Sequence, residues 1–267
     1  MSPVDVRPLM TTERMELLGL LGSLDEDGWN APGPVPGWRV KDIALHVLDD
    51  DLGWLSQGRD RDASGLLDAT GDYREFVTAL NQKNQAWVDG ARGLSRRVVI
   101  DMLGWTGRQV DDYLGTVDLG AATNVIWAGL DPVPLWFDLA RGLTERWVHH
   151  RQICEALGSS SRQLDEYLDV VLRTFVWAYP HQYDAEADPG TCVAIDLGDD
   201  REFVLTRMVD GWELDEATAD SAAARIAMSG EIAWRLLTGA AYDSALVDGQ
   251  GDHDLVRAGL KVRAIIV

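Results

Sequence analysis

Cysteine is scarce in this chain: Cys154 and Cys192 are the only two among 267 residues. Neither sits in a CxxC pair or a Cys/His metal pattern, and the one position that could offer a stray ligand or reactive thiol is Cys154. Both read as reduced, structural thiols, and Cys154 as a small buried hydrophobe five residues after His149. Long apolar runs are missing too. No stretch approaches the roughly 20 apolar residues of a membrane span, so no membrane partner is expected. Met1 to Arg14 mixes charge and proline without an apolar signal core, and a cytoplasmic location is the expectation that follows. Basic runs are absent, and the formal charge of −20 repels phosphate backbones, which removes nucleic acid from the partners. The chain also lacks a GxGxxG, a Walker loop, a GxSxG and any internal repeat or low-complexity segment.

What is present is a soluble globular composition, 46% hydrophobic and 25% charged, at a length comfortable for two domains. Apolar residues at helical spacing predict a first helix from Val6 to Leu24. The segment Ala31-Pro32-Gly33-Pro34-Val35-Pro36-Gly37 cannot be helical and reads as a rigid connector. A second helix follows from Val40 to Leu55, with Val40, Ile43, Ala44, Val47, Leu48 and Trp54 as its apolar stripe. A loop from Arg59 to Asp72 leads to helices from Tyr73 to Arg92 and from Arg96 to Val117. A connector from Asp118 to Pro134, containing Trp127 and Gly129, precedes a helix from Leu135 to Leu157 that Gly158 caps. Ser159-Ser160-Ser161 marks the expected boundary between domains at 1–160 and 161–267. Beyond it come a helix through Leu168 to Tyr179 and strands at Thr191 to Leu197 and Glu202 to Arg207 around a Gly198-Asp199-Asp200 turn. Short strands at Trp212 to Leu214 and Ala224 to Met228 follow, then a helix from Glu231 to Thr238. The second domain is therefore expected to be a small α+β layer.

The chemistry-bearing constellation is Glu145-Arg146-Trp147-Val148-His149. Residues four apart on a helix stack on one face, so Glu145 and His149 can aim at one point. With His46 from a second helix they would supply two nitrogens and one carboxylate oxygen, the donor set of a catalytic zinc-type site with an open position. The competing reading is chance amphipathic spacing. At 100° per residue His46 shares its sector with Asp42, Asp49 and Asp50, which predicts a solvent-facing histidine among solvated charges. His150 is likewise expected at the surface, Trp38 as packing for the connector, and Gly142 as space beside either the site or a packed neighbour.

On these residues the first 158 positions resemble the DinB-like superfamily, and within it the mycothiol-dependent maleylpyruvate isomerase family. Trp29, the run Pro36-Gly37-Trp38-Arg39-Val40-Lys41-Asp42-Ile43-Ala44-Leu45-His46, and Glu145-Arg146-Trp147-Val148-His149 carry the likeness. The resemblance implies an α+β two-domain fold: a DinB-like four-helix bundle, then a small α+β sterol-carrier-like domain. It implies a divalent metal on His46, Glu145 and His149, zinc in the first place and nickel as the alternative. It also implies mycothiol or a similar small thiol as cofactor. Departures are Val35 where the family often has cysteine, and Leu237-Thr238-Gly239-Ala240 where it has Gly-Arg. Arg225 and Arg235 then stand in as the catalytic candidates that would bind the substrate carboxylate, against the commoner reading of surface arginines. Asn81 and Asn84 are the candidates for thiol-cofactor contacts, against that of polar helix-face residues.

The expected function is thus a metal- and thiol-dependent isomerase or S-transferase acting on a small anionic or electrophilic substrate, as a monomer or homodimer. A metal stabilises thiolate over thiol, and a thiolate can add to an activated double bond. Two rivals remain open at this level. One is a metal-dependent small-molecule hydrolase, and the other a non-catalytic ligand-binding protein on the same scaffold.

Overall fold

The computed structural model describes residues 3–67, 73–125, 130–159, 165–219 and 221–264. Ser160 and Ser161 of the expected boundary, Trp127 and Gly129 of the connector, and the end of the 59–72 loop lie outside the described residues. By packing, the chain divides into two compact units. One comprises Val4–Ala121 with Leu139–Tyr167, the other Ala122–Asp138 with Leu168–Val267 and Met1–Pro3.

The first unit is helical. It holds α1 (Arg7–Ser23), the single turn α2 (Glu26–Trp29), α3 (Val40–Gly53), α4 (Tyr73–Ala91), α5 (Arg96–Leu114) and, from Leu139 on, α6 (Leu135–Ala156). Leu17 and Leu21 of α1, Val40, Ile43, Ala44, Val47 and Leu48 of α3, Val88 of α4, Val99 and Leu103 of α5 and Ile153 of α6 form its core. The expected apolar stripe is correct but too narrow: every residue from Asp42 to Leu48 is buried. α3 packs against both α4 and α5 and has little solvent face, so its polar residues must find partners inside.

The proline connector is a tight loop, closed by Gly33 N–H to Trp38 O (2.8 Å), Trp38 N–H to Val35 O (3.0 Å) and Val40 N–H to Ala31 O (3.0 Å). These bonds deliver the chain into α3. There Asp42 accepts from the Arg39 N–H at 2.9 Å, which satisfies a donor at the helix start, and from Arg92 Nε at 2.9 Å. Asp42 is therefore a buried cap rather than a solvated charge. At the far end of α6, Gly158 takes the left-handed conformation (φ 60°) and Ser159 N–H reaches Cys154 O at 2.9 Å, the expected glycine stop.

The second unit contains a five-stranded sheet in the order β5-β4-β3-β6-β7. Its strands are β3 (Cys192–Asp196), β4 (Glu202–Arg207), β5 (Trp212–Asp215), β6 (Ala224–Ala227) and β7 (Asp248–Gly251). β3 pairs antiparallel with β4 through the expected hairpin, in register Val193 to Leu205 and Ile195 to Phe203, and parallel with β6. The helices are α7 (Leu168–Phe175), α8 (Ala178–Gln182), α9 (Gly230–Thr238) and α10 (His253–Gly259). The helix read as continuous from Leu168 to Tyr179 breaks after Phe175. The connector before α6 is a hairpin of β1 (Ala122–Val125) and β2 (Leu130–Pro134), and it groups with this second unit. The α+β expectation is borne out: a helical region first, a sheet after it.

Candidate metal and thiol site

α3 brings His46, and α6 brings Glu145 and His149, to a common point in the helical unit. One donor atom from each of the three lies within 4.8 Å of the others. The two imidazole centroids are 4.6 Å apart and their planes nearly perpendicular (89°). His149 Nδ1 donates to Gln152 Oε1 at 2.8 Å, which leaves Nε2 facing Glu145 Oε2 at 3.4 Å. A second partner that fixes the ring and its tautomer is the usual support of a metal-binding histidine. Sequence reasoning missed Gln152, although its signal is plain: it follows His149 by three residues, on the same helix face.

Trp38 closes the other side of His46, with ring centroids 5.5 Å apart, and is itself held by Nε1–H donation to Gln85 Oε1 at 2.9 Å. The tryptophan of the connector thus packs directly on the candidate ligand. Gly142, one turn before Glu145, is explained by packing: a β-carbon there would stand 3.2 Å from Cζ2 of Trp54.

His46 is not solvent-facing. It is 7% exposed, and burial, reinforced by the positive charge on His149, pushes its imidazole down to about 3. It is therefore neutral near pH 7, the form that ligates. Its Nδ1 is buried without a hydrogen-bond partner, an arrangement costing about 1–3 kcal/mol unless something engages the ring. Burial opposes the charged His149–Glu145 pair. Their mutual attraction outweighs it, holding His149 above and Glu145 below their ordinary values. Two imidazoles, a carboxylate, mutual proximity and an orphaned ring nitrogen fit a divalent metal cation.

The face of α6 about 100° round from this pair is also buried, contrary to the surface position expected for His150. His150 Nδ1 donates to Glu13 Oε1 of α1 at 3.0 Å. Burial pushes its imidazole down, but bonds to Cys154 and Glu13 prevail and hold it at about 9. Asp51 of α3 accepts from Arg14 of α1, from Arg146 Nη2 of α6 (3.0 Å) and from Thr106 Oγ1 of α5 (2.7 Å). One carboxylate thereby ties four helices. Periodicity does put His150 about 100° from His149, but that sector of α6 faces α1 rather than water.

Asp50 departs from its expected solvated role as well: its Oδ2 is buried and lacks a partner. Asn81 is exposed on α4 and Asn84 half-buried one turn along. Arg225 and Arg235 belong to the second unit and are both engaged. Arg225 donates to Asp196 Oδ2 (2.6 Å), with Glu202 Oε1 at 3.4 Å, and Arg235 Nε donates to Glu231 Oε1 (2.9 Å).

Residues 10–154, more than half of the chain, match the family described as the mycothiol maleylpyruvate isomerase N-terminal domain. The chain belongs to this family. The match spans His46, Glu145 and His149 together. Two solved structures share the fold of this family member. They are the mycothiol-dependent maleylpyruvate isomerase, at 13% identity and TM-score 0.58, and a histidine-to-alanine mutant of that enzyme, at 12% identity and TM-score 0.57. Each alignment covers 92% of this chain and 90% of the other. No curated protein matches the sequence. Among the described residues no helix is long and apolar enough to cross a membrane.

Proposed function

We propose that this family member is a metal-dependent, mycothiol-dependent isomerase or S-transferase acting on a small electrophilic, anionic substrate. The observation that carries the reading is the convergence of His46, Glu145 and His149 from two helices, inside the segment that matches the family. Those three residues would hold the cation, zinc in the first place. Bound there, it would supply Lewis-acid stabilisation of a thiolate at neutral pH, where a free thiol of pKa about 8.5 is largely protonated.

The chain's own residues do the rest. Gln152 keeps His149 in one tautomer, while Trp38 and the buried wall of α3 exclude water from the His46 side. A small thiol held at this point as thiolate would supply the nucleophile for reversible addition to an activated double bond, the chemistry of cis–trans isomerisation, or for displacement of a leaving group, the chemistry of S-transfer. We assign Asn81 and Asn84 of α4 to thiol contact. α4 packs beside α3, and the same helix reaches the site through Gln85 and Trp38. Arg225 and Arg235 are the proposed partners of the substrate carboxylate, and each would exchange its present carboxylate for that of the substrate. The protein is taken to act in the cytoplasm, as a monomer or homodimer.

The test is cis–trans isomerisation of maleylpyruvate by zinc-loaded protein with and without mycothiol. Turnover that requires both zinc and thiol is expected. Turnover undiminished by chelation, or hydrolysis without thiol, would overturn the reading.

A further inference from the structure

We propose that Arg141 of α6 binds a carboxylate group of the substrate beside the His46–Glu145–His149 set and so selects unsaturated acids over their neutral analogues, an assignment that rests on the metal- and thiol-dependent reading above. Arg141, Glu145 and His149 are spaced four apart, so the guanidinium continues the face of α6 that carries two of the ligands. The placement is direct: Arg141 Nη1 stands 3.9 Å from Glu145 Oε1. The side chains of Arg141 and Glu145 are 29% and 21% exposed, whereas that of His149 is 7% exposed. The ligand set therefore meets solvent at its arginine end, where a small anion would arrive.

The other arginines of α6 point elsewhere. Arg146 is buried against Asp51 at 3.0 Å, and Arg151 donates to Asp165 at 3.0 Å. Arg225 and Arg235, read above as carboxylate partners, belong to the sheet unit and hold Asp196 and Glu231. Local positive charge is needed at the ligand set itself, since a chain of formal charge −20 repels an anionic substrate as a whole. Arg141 supplies it. A cation on Glu145 takes over that carboxylate, so the guanidinium then faces a positive centre, and an anion between the two is attracted by both. The planar, two-donor edge of arginine matches a carboxylate in geometry as well as charge. Beside it, Gly142 brings Trp54, at the end of α3, close to α6: a β-carbon at Gly142 would stand 3.2 Å from Trp54 Cζ2. The indole lends an apolar wall next to the guanidinium, suited to the planar carbon chain of an unsaturated acid.

The experiment is calorimetric titration of two probes into zinc-loaded full-length protein: maleate, a dianion, and maleamide, its neutral diamide. Wild type should bind maleate the more tightly. Arg141→Gln should weaken maleate by about 10- to 100-fold, the range for loss of a charge-assisted hydrogen bond, and leave maleamide within about 2-fold. Arg141→Lys, which keeps the charge but not the two-donor edge, should recover part of the loss. Wild type that binds maleate no better than maleamide would overturn the assignment. So would equal weakening of both probes, or loss of zinc from Arg141→Gln, since either would make Arg141 a support for Glu145 rather than a substrate contact. Failure of the parent reading looks different: maleate would be bound in this Arg141-dependent way by a protein that turns over no maleylpyruvate with mycothiol.

Discussion

Gln152 and Asp51 show how much of the candidate site depends on residues that would touch neither metal nor substrate. Gln152 fixes the His149 ring through a 2.8 Å bond. Gln152→Ala should leave the fold intact and weaken zinc binding by about 10- to 100-fold, the usual effect of losing such a partner. Competition against a chromophoric chelator measures this, and unchanged affinity would show that packing alone orients the ring. Asp51 is the hub of a buried network in which Arg14 and Arg146 already carry unpartnered N–H groups. Asp51→Ala would strand two buried guanidinium groups, and breaking a buried pair this way costs about 3–5 kcal/mol. Urea denaturation should therefore show a large fall in midpoint. A fall under about 1 kcal/mol, the value of a surface pair, would mean that solvent reaches the network.

At the scale of elements, α1 and α6 are joined by the Glu13–His150 pair as well as by apolar packing. Burial alone would raise the Glu13 carboxyl. The His150 bond and charge, with Arg14 and Arg146, instead hold it below its ordinary value. A carboxylate depressed in the folded state contributes stability above its unfolded pKa of about 4.5, and that contribution is lost as the pH falls through the folded value. Stability should decline on acidification below about pH 4.5, and Glu13→Gln should flatten this limb while lowering stability at neutral pH. Chemical denaturation at several pH values compares the two. Parallel acid limbs would place the acid sensitivity elsewhere. These same elements show what sequence reasoning could reach. Helical periodicity found α1, α3, α4, α5 and α6 within a few residues, and the Gly198-Asp199-Asp200 turn revealed the β3–β4 hairpin. Rotational sectors were a poorer guide. The 100° sectors give Asp42 and His150, and in the competing reading His46, a solvent-facing position, because periodicity gives a face without saying what packs on it. β7 carries no strand signal because Asp248-Gly249-Gln250-Gly251 is exposed and has no β-branched or aromatic residue. Its ladder with β6 alone makes it a strand.

For the whole molecule, the chain has two cores, and all three candidate ligands belong to the helical one. Ligand binding stabilises the structure that holds the ligand. Zinc should therefore slow amide exchange in α3 and α6, with little change in β3, β4 and β6, as hydrogen-exchange mass spectrometry would read. Equal protection of both units would contradict a site confined to the helices. The site itself was legible because Glu145 and His149 announce themselves by spacing. His46 could be nominated by its residue type and supported by the family likeness, but nothing in the spacing of positions 46 and 145 says that two helices meet. The substrate end is less legible: the arginines singled out for it already hold carboxylates of their own.

The central claim is that two helices converge on a metal, and elemental analysis of purified protein tests it most directly. Wild type should carry about one equivalent of a zinc-type metal, and both His46→Ala and His149→Ala should lose it while remaining folded by circular dichroism. Wild type that holds no metal and takes up none when zinc is added, or variants that keep a full equivalent, would contradict the account.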